Sequence, residues 1–295
     1  MWFQASFIPD LLNCAGGGYI KKKARTLLVP YIVFGIISYI IWLAINPESY
    51  SLAPLKHLLF ENTDGLPITG ALWFLTALFI VQVLYAVLDS CIKSRVVLTI
   101  FVIAISIFGC LAKRFIPYRL PYAFDTACGS MGLVHLGRVL YPHISREKNG
   151  KKQLLDIPWI LVFVFSIISL ILIGINGMVN LRVAEYSNLA LYWINAIFSS
   201  YILLVISYKM SLMGNPFAKI INNCLINIGK DSIVYVCLNQ IVIYYINIFL
   251  SRTIAYGYIY RCVLMALVMI SLDLLRRILV NTQLRVLIGK SKNRK

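Results

Sequence analysis

Acidic side chains are scarce in this sequence: 11 Asp and Glu stand against 28 Lys and Arg, and charged residues together fill only 13% of the 295 positions. Soluble domains carry about 25% charged residues. A water-soluble domain is therefore excluded, and with it a nucleic-acid-binding reading of the net charge of +17. Histidine is rarer still, at 3, which argues against a His-rich metal site. The 7 cysteines are odd in number and scattered through apolar runs, with no Cys-x-x-Cys. Such thiols behave as small buried hydrophobes rather than as disulfide, metal or redox groups. Gly-x-Ser-x-Gly, His-Glu-x-x-His and P-loop patterns are absent, and Gly229-Lys230-Asp231-Ser232 lacks the upstream glycine spacing of a phosphate loop.

What remains is apolar. With 60% hydrophobic residues and a mean hydropathy of +0.81, and roughly 20 apolar residues needed per helical crossing, the chain reads as an all-α, polytopic membrane helix bundle. Uncharged apolar runs place about eight full spans near 27–45, 71–88, 96–112, 122–141, 157–175, 188–208, 232–250 and 258–280. A partial helix, the remnant of a preceding element, is expected at 1–18, and a cytoplasmic tail at 290–295. The whole of 1–295 is read as one integral membrane domain. If Lys21-Lys22-Lys23-Ala24-Arg25 is cytoplasmic, alternation of the spans puts three-quarters of the 28 cations on that side, as the positive-inside rule requires. The run at 122–141 crosses only if Asp125, His135 and Arg138 face protein or water. Lys113, Arg114 and Arg119 share one short outside loop, against the general trend.

Polar residues inside spans are costly in hydrocarbon and mark the bundle interior. Asn188, Tyr192, Asn195 and Ser199 recur on one helical face, and Gln240, Tyr244 and Asn247, with Asn239 beside them, form another. Each stripe reads either as interhelical hydrogen-bonding glue or as a polar path for a reactant. His135 lies three residues before Arg138 and reads as a packing histidine or a catalytic one. The Lys21–Arg25 run reads as a topology anchor or as the holder of an anionic cytosolic ligand.

Lys22-Lys23-Ala24-Arg25 followed by Leu-Leu-Val-Pro-Tyr, then Leu72-Trp73-Phe74-Leu75, Leu120-Pro121-Tyr122-Ala123-Phe124-Asp125-Thr126-Ala127 and Gly229-Lys230-Asp231-Ser232-Ile233, stand in an order that resembles the acyltransferase 3 family of integral membrane acyltransferases, in its fucose 4-O-acetylase-like branch. The likeness covers about residues 16–285. It implies a ten-helix bundle of a bacterial cytoplasmic membrane. Such a bundle moves an acyl group, usually acetyl, from acetyl-CoA to a hydroxyl of a surface or lipid-linked glycan, without a metal and with membrane lipids around it. It further implies that Lys22 and Arg25 form the basic-x-x-basic motif on the acyl-donor side. The histidine of the family's first helix, which the resemblance implies as the base, has no counterpart here, and Asn239-Gln240 stands where the family has a histidine before glutamine. His135 is left as the catalytic candidate, with Asp125, Asn188, Tyr192, Asn195, Asn239 and Gln240 as further polar candidates. An inactive, truncated family member and a polytopic glycan or lipid-intermediate transporter are the competing readings.

Overall fold

Long apolar runs become helices because, with no water to satisfy them, backbone N–H and C=O groups must bond within the segment. The computed structural model describes residues 17–60, 70–116, 118, 120–148, 151–152, 154–252 and 256–290. The expected N-terminal remnant, apart from residues 17 and 18, and the tail beyond Lys290 lie outside the described residues. Among those described are eleven α-helices: α1 (Gly17–Lys23), α2 (Val29–Ile45), α3 (Ala53–Phe60), α4 (Trp73–Cys91), α5 (Arg95–Phe115), α6 (Phe124–Ser145), α7 (Trp159–Asn176), α8 (Leu189–Leu212), α9 (Pro216–Lys230), α10 (Ser232–Leu250) and α11 (Tyr258–Asn281). Two short hairpins, β1 (Glu147–Lys148) with β2 (Lys151–Lys152) and β3 (Val179–Asn180) with β4 (Glu185–Tyr186), are antiparallel.

Every expected span falls on a helix, to within a few residues at each end. Among the described residues six helices are long and apolar enough to cross a membrane: Gly18–Ile45, α4, α5, α7, α8 and α10. The other two are α6, which carries Asp125, His135 and Arg138, and α11, which carries Arg261, Asp273, Arg276 and Arg277. The protein is an integral membrane helix bundle. α9 lies outside the expected spans: it is amphipathic, with Phe217 and Ile220 exposed on one side, and Asn215 caps it by accepting the Ala218 N–H at 2.6 Å.

The helices group into two compact units. One consists mainly of Gly16–Val83, Leu120–Phe124 and Lys230–Lys295, the other mainly of Leu84–Arg119 and Asp125–Gly229. In the first, α1 and α2 are joined by one π-helical stretch, Ala24–Leu28, closed by the Val29 N–H donating to the Ala24 carbonyl. Such stretches concentrate at functional sites. α3 packs on α2 at Gly35, where a Cβ would stand 2.7 Å from the Leu58 side chain, and the Tyr31 hydroxyl donates to the Leu58 carbonyl at 2.7 Å. Before α6 the backbone turns through left-handed φ at Tyr122 (57°) and Ala123 (56°), a conformation costly for residues with side chains. The Tyr122 hydroxyl is tied to the Leu59 carbonyl.

In the second unit, α5 and α6 cross backbone to backbone. A Cβ at Gly109 would stand 2.3 Å from the Gly129 nitrogen and 2.7 Å from the Asp125 carbonyl oxygen, the close approach that small residues permit between membrane helices. The Ser106 hydroxyl sits in the same crossing and accepts the Gly132 N–H at 2.6 Å. α7 packs on α8 through Phe165 and Phe198, with ring centroids 5.4 Å apart, around a core of Leu155, Val162, Ile202 and Val205.

Candidate functional site

The Lys21–Arg25 run occupies the end of α1 and the start of the π-helical stretch. Its cations divide by helical phase. Lys23 is buried, its ammonium 5.2 Å from the centroid of the Tyr19 ring, while Lys21, Lys22 and Arg25 are exposed. Against them comes a segment from the other end of the chain. Thr282 stops α11 and opens a short 3-10 turn, Gln283–Ile288, by accepting the Leu284 N–H. Gly289 then adopts φ 74°, the left-handed conformation that glycine alone takes without strain. A Cβ at Gly289 would stand 2.5 Å from the Arg25 carbonyl oxygen and 2.6 Å from the Thr26 Cα, so the two stretches of backbone touch. Arg25 completes the join by donating from Nη2 to the Lys290 carbonyl at 3.0 Å. The result is a cavity of about 620 Å³ lined by Lys21, Lys22, Arg25, Thr26, Arg285, Gly289 and Lys290.

Behind this cavity stands Asp231, buried at the start of α10. Its carboxylate accepts from Arg276 Nη1 at 3.1 Å and pairs with the Lys290 ammonium. Arg276 also reaches Asp273 at 2.8 Å, which in turn holds Arg277 at 2.8 Å. A buried carboxylate needs compensating partners; Asp231 finds one on α11 and one on the segment that walls the cavity. Chemically, five cations converge on a concave, nucleotide-sized space, a geometry suited to a polyanion.

The acyltransferase domain model matches residues 15–276 of the sequence. The chain belongs to the acyltransferase 3 family. No curated protein and no solved structure matches it. Within this family membrane acyltransfer is the shared chemistry, and Lys22, Arg25, Asp231, Asp273 and Arg276 all lie inside the matched stretch. Arg285, Gly289 and Lys290 lie beyond it.

The polar candidates of this acyltransferase fare differently. His135, buried on α6, is held at both ring nitrogens: Nδ1 lies 2.9 Å from the Tyr85 hydroxyl and Nε2 lies 2.9 Å from Thr99 Oγ1. Thr99 gives its own proton to the Arg95 carbonyl at 2.8 Å. For the neutral ring, therefore, Nε2–H donates to Thr99 and Nδ1 accepts from Tyr85. Beside them Arg138 pairs with Asp89 at 2.8 Å and lies over the Tyr85 ring at 5.7 Å. In this arrangement the imidazole ties α6 to α4 through Tyr85 and to α5 through Thr99.

Asn188 is a cap rather than a lining residue, since it accepts the Leu191 N–H at 3.1 Å at the start of α8. Tyr192 packs edge-on against Tyr186, centroids 4.9 Å apart. Burial, reinforced by Cys110 and Tyr192, lifts the Tyr186 phenol well above its usual range, so it stays protonated. Asn195 is buried with no side-chain partner among the described residues. Ser199 bonds Ser169 across the α7–α8 interface at 2.7 Å, which is interhelical glue. On α10, Gln240 and Tyr244 are exposed, Asn239 Oδ1 is buried without a described partner, and Asn247 takes the Tyr260 hydroxyl of α11. Asp125 is buried in the first turn of α6, where its carboxylate accepts the Thr126 N–H at 2.8 Å. No cluster of three or more His, Cys, Asp or Glu side chains suited to a metal occurs among the described residues. The residues that sequence reasoning missed are Arg285, Lys290 and Asp231. The last of these sits in a motif noted in the sequence.

Proposed function

We propose that this chain is an O-acyltransferase that takes an acyl group, acetyl in the simplest case, from acyl-CoA and delivers it to a hydroxyl of a cell-surface or lipid-linked glycan. The acceptor oxygen attacks the thioester carbonyl, the carbon–sulfur bond breaks, an ester forms, and the hydroxyl proton leaves with the coenzyme A thiolate as the free thiol. The basic cavity at Lys21, Lys22 and Arg25 carries this reading. Coenzyme A is a nucleotide bearing several phosphate charges, which Lys and Arg bind through charge-assisted hydrogen bonds, and a topology anchor alone would need no cavity. The cation distribution supports a position in a bacterial cytoplasmic membrane with this cavity and the C-terminus facing the cytosol.

The test is binding of coenzyme A to the purified full chain in lipid nanodiscs. Charge-assisted bonds are worth about 1.5–3 kcal/mol each, so the double variant K22Q/R25Q should bind coenzyme A at least tenfold more weakly than wild type while inserting normally. Equal binding by the two proteins reduces Lys22 and Arg25 to a topology signal and removes the support for the donor site.

A further inference from the structure

The segment Gln283–Lys290 is separated from the Lys21–Arg25 run by almost the whole chain, yet it lies against that run with its backbone in van der Waals contact. Three independent features hold it there. Gly289 takes the one conformation that lets the backbone reach Arg25 and Thr26, Arg25 donates to the Lys290 carbonyl, and the buried Asp231 grips the Lys290 ammonium. Ile288, 2% exposed, anchors the turn from below.

This arrangement concentrates like charge. Arg285 and Lys290 are brought to the rim of a cavity that already holds Lys21, Lys22 and Arg25. Lys and Arg side chains gathered on one concave surface are suited to charge-assisted hydrogen bonds with phosphate oxygens.

We propose that Gln283–Lys290 is a strap that forms the second wall of the anion site, with Arg285 and Lys290 binding the phosphates of the acyl donor together with Lys22 and Arg25, and with Asp231 as the positioning residue that sets Lys290. The proposal rests on the donor-site reading above and extends it to residues beyond the family match. Asp231 does not touch the ligand. It acts by fixing where the Lys290 side chain starts, while Arg25 and Gly289 fix the backbone that carries it.

The experiment uses the full chain in nanodiscs and calorimetric titration with coenzyme A, alongside thermal melting of each variant without ligand. R285Q/K290Q should raise the dissociation constant about tenfold or more; R285Q alone should raise it severalfold with an unchanged melting temperature, whereas K290Q takes one partner from the buried Asp231 and lowers the melting temperature as well. D231N should raise the dissociation constant severalfold in the wild-type background and add nothing in the K290Q background. A merely structural loss would instead weaken binding equally in both backgrounds. If R285Q/K290Q binds as wild type while K22Q/R25Q does not, the strap has no part in the site and the donor-site reading stands. If both double variants bind as wild type, the donor-site reading itself falls, and the strap with it. Additive effects of D231N and K290Q overturn the positioning role of Asp231.

Discussion

Replacing His135 with alanine separates a histidine that holds helices together from one that moves protons. Tyr85 is fully buried, and its hydroxyl has His135 Nδ1 as its partner at 2.9 Å, so the substitution strands a buried donor at a cost of about 1–3 kcal/mol. Thr99 loses less, because its hydroxyl keeps the Arg95 carbonyl. Removing the imidazole also leaves a cavity, and large-to-small changes in packed interiors cost about 2–5 kcal/mol where the site cannot collapse. A total of about 3–8 kcal/mol is expected, which for a chain of this size lowers the melting temperature on the order of 10 °C or more. The assay is thermal unfolding in detergent followed with a thiol-reactive fluorophore, since Cys110, Cys128 and Cys237 are buried and become reactive only on unfolding. Tyr85→Phe should cost about 1–2 kcal/mol, and the double variant should be less destabilised than the sum, by a coupling of about 0.5–3 kcal/mol. An H135A chain that melts like wild type but has lost acyl transfer to a glycan acceptor would refute this account and make His135 the catalytic base.

Three further outcomes follow from the geometry. Gly109→Ala should destabilise by about 1–3 kcal/mol or more, since its methyl would meet backbone rather than a movable side chain; Gly174→Ala, with nothing within 4 Å, should be neutral or slightly stabilising in the same melting assay. Asp89→Ala should cost about 3 kcal/mol by stranding the largely buried Arg138, whereas Arg95→Gln, at a 71% exposed side chain, should change the melting temperature little. Single cysteines in the 142–156 loop should be protected from impermeant labels in intact cells, and labelling there from outside would invert the proposed topology.

The spans were legible because a run of about 20 uncharged apolar residues has few alternatives in a membrane. Residues 232–250, expected as a span, are α10. α9 escaped the same search because its polar face interrupts the run: Lys219, Asn222 and Asn223 alternate with Phe217, Ile220 and Leu225 at helical spacing, a signal of period rather than of length. Asn188 was misleading in a different way. Its place just before an apolar run is that of a cap, but counted at i, i+4, i+7 it also extended a polar stripe. The basic site was half visible. Lys22 and Arg25 stand in a local motif, while Arg285 and Lys290 join them across 265 positions, and no local pattern encodes a partner at that distance. Asp231 was visible as a motif residue but not as a counter-ion, because its role depends on Arg276 and Lys290 arriving beside it.

The π-helical stretch Ala24–Leu28 works as a phase adjuster. A π turn closes from i to i+5 and so holds one residue more than the α turn it replaces, while an ordinary α-helix turns by about 100° for each residue gained. Loss of Ala24 would let the wide turn close as α-helix and leave Lys21 and Lys22 near their present facing relative to Tyr31, Phe34 and Ser38, which are buried on α2. A further residue inserted into the stretch has no such slack and would swing the basic turn by about 100° away from Gly289, while every named cation stayed in the sequence. The site is thus vulnerable to a change of length that leaves its cations untouched.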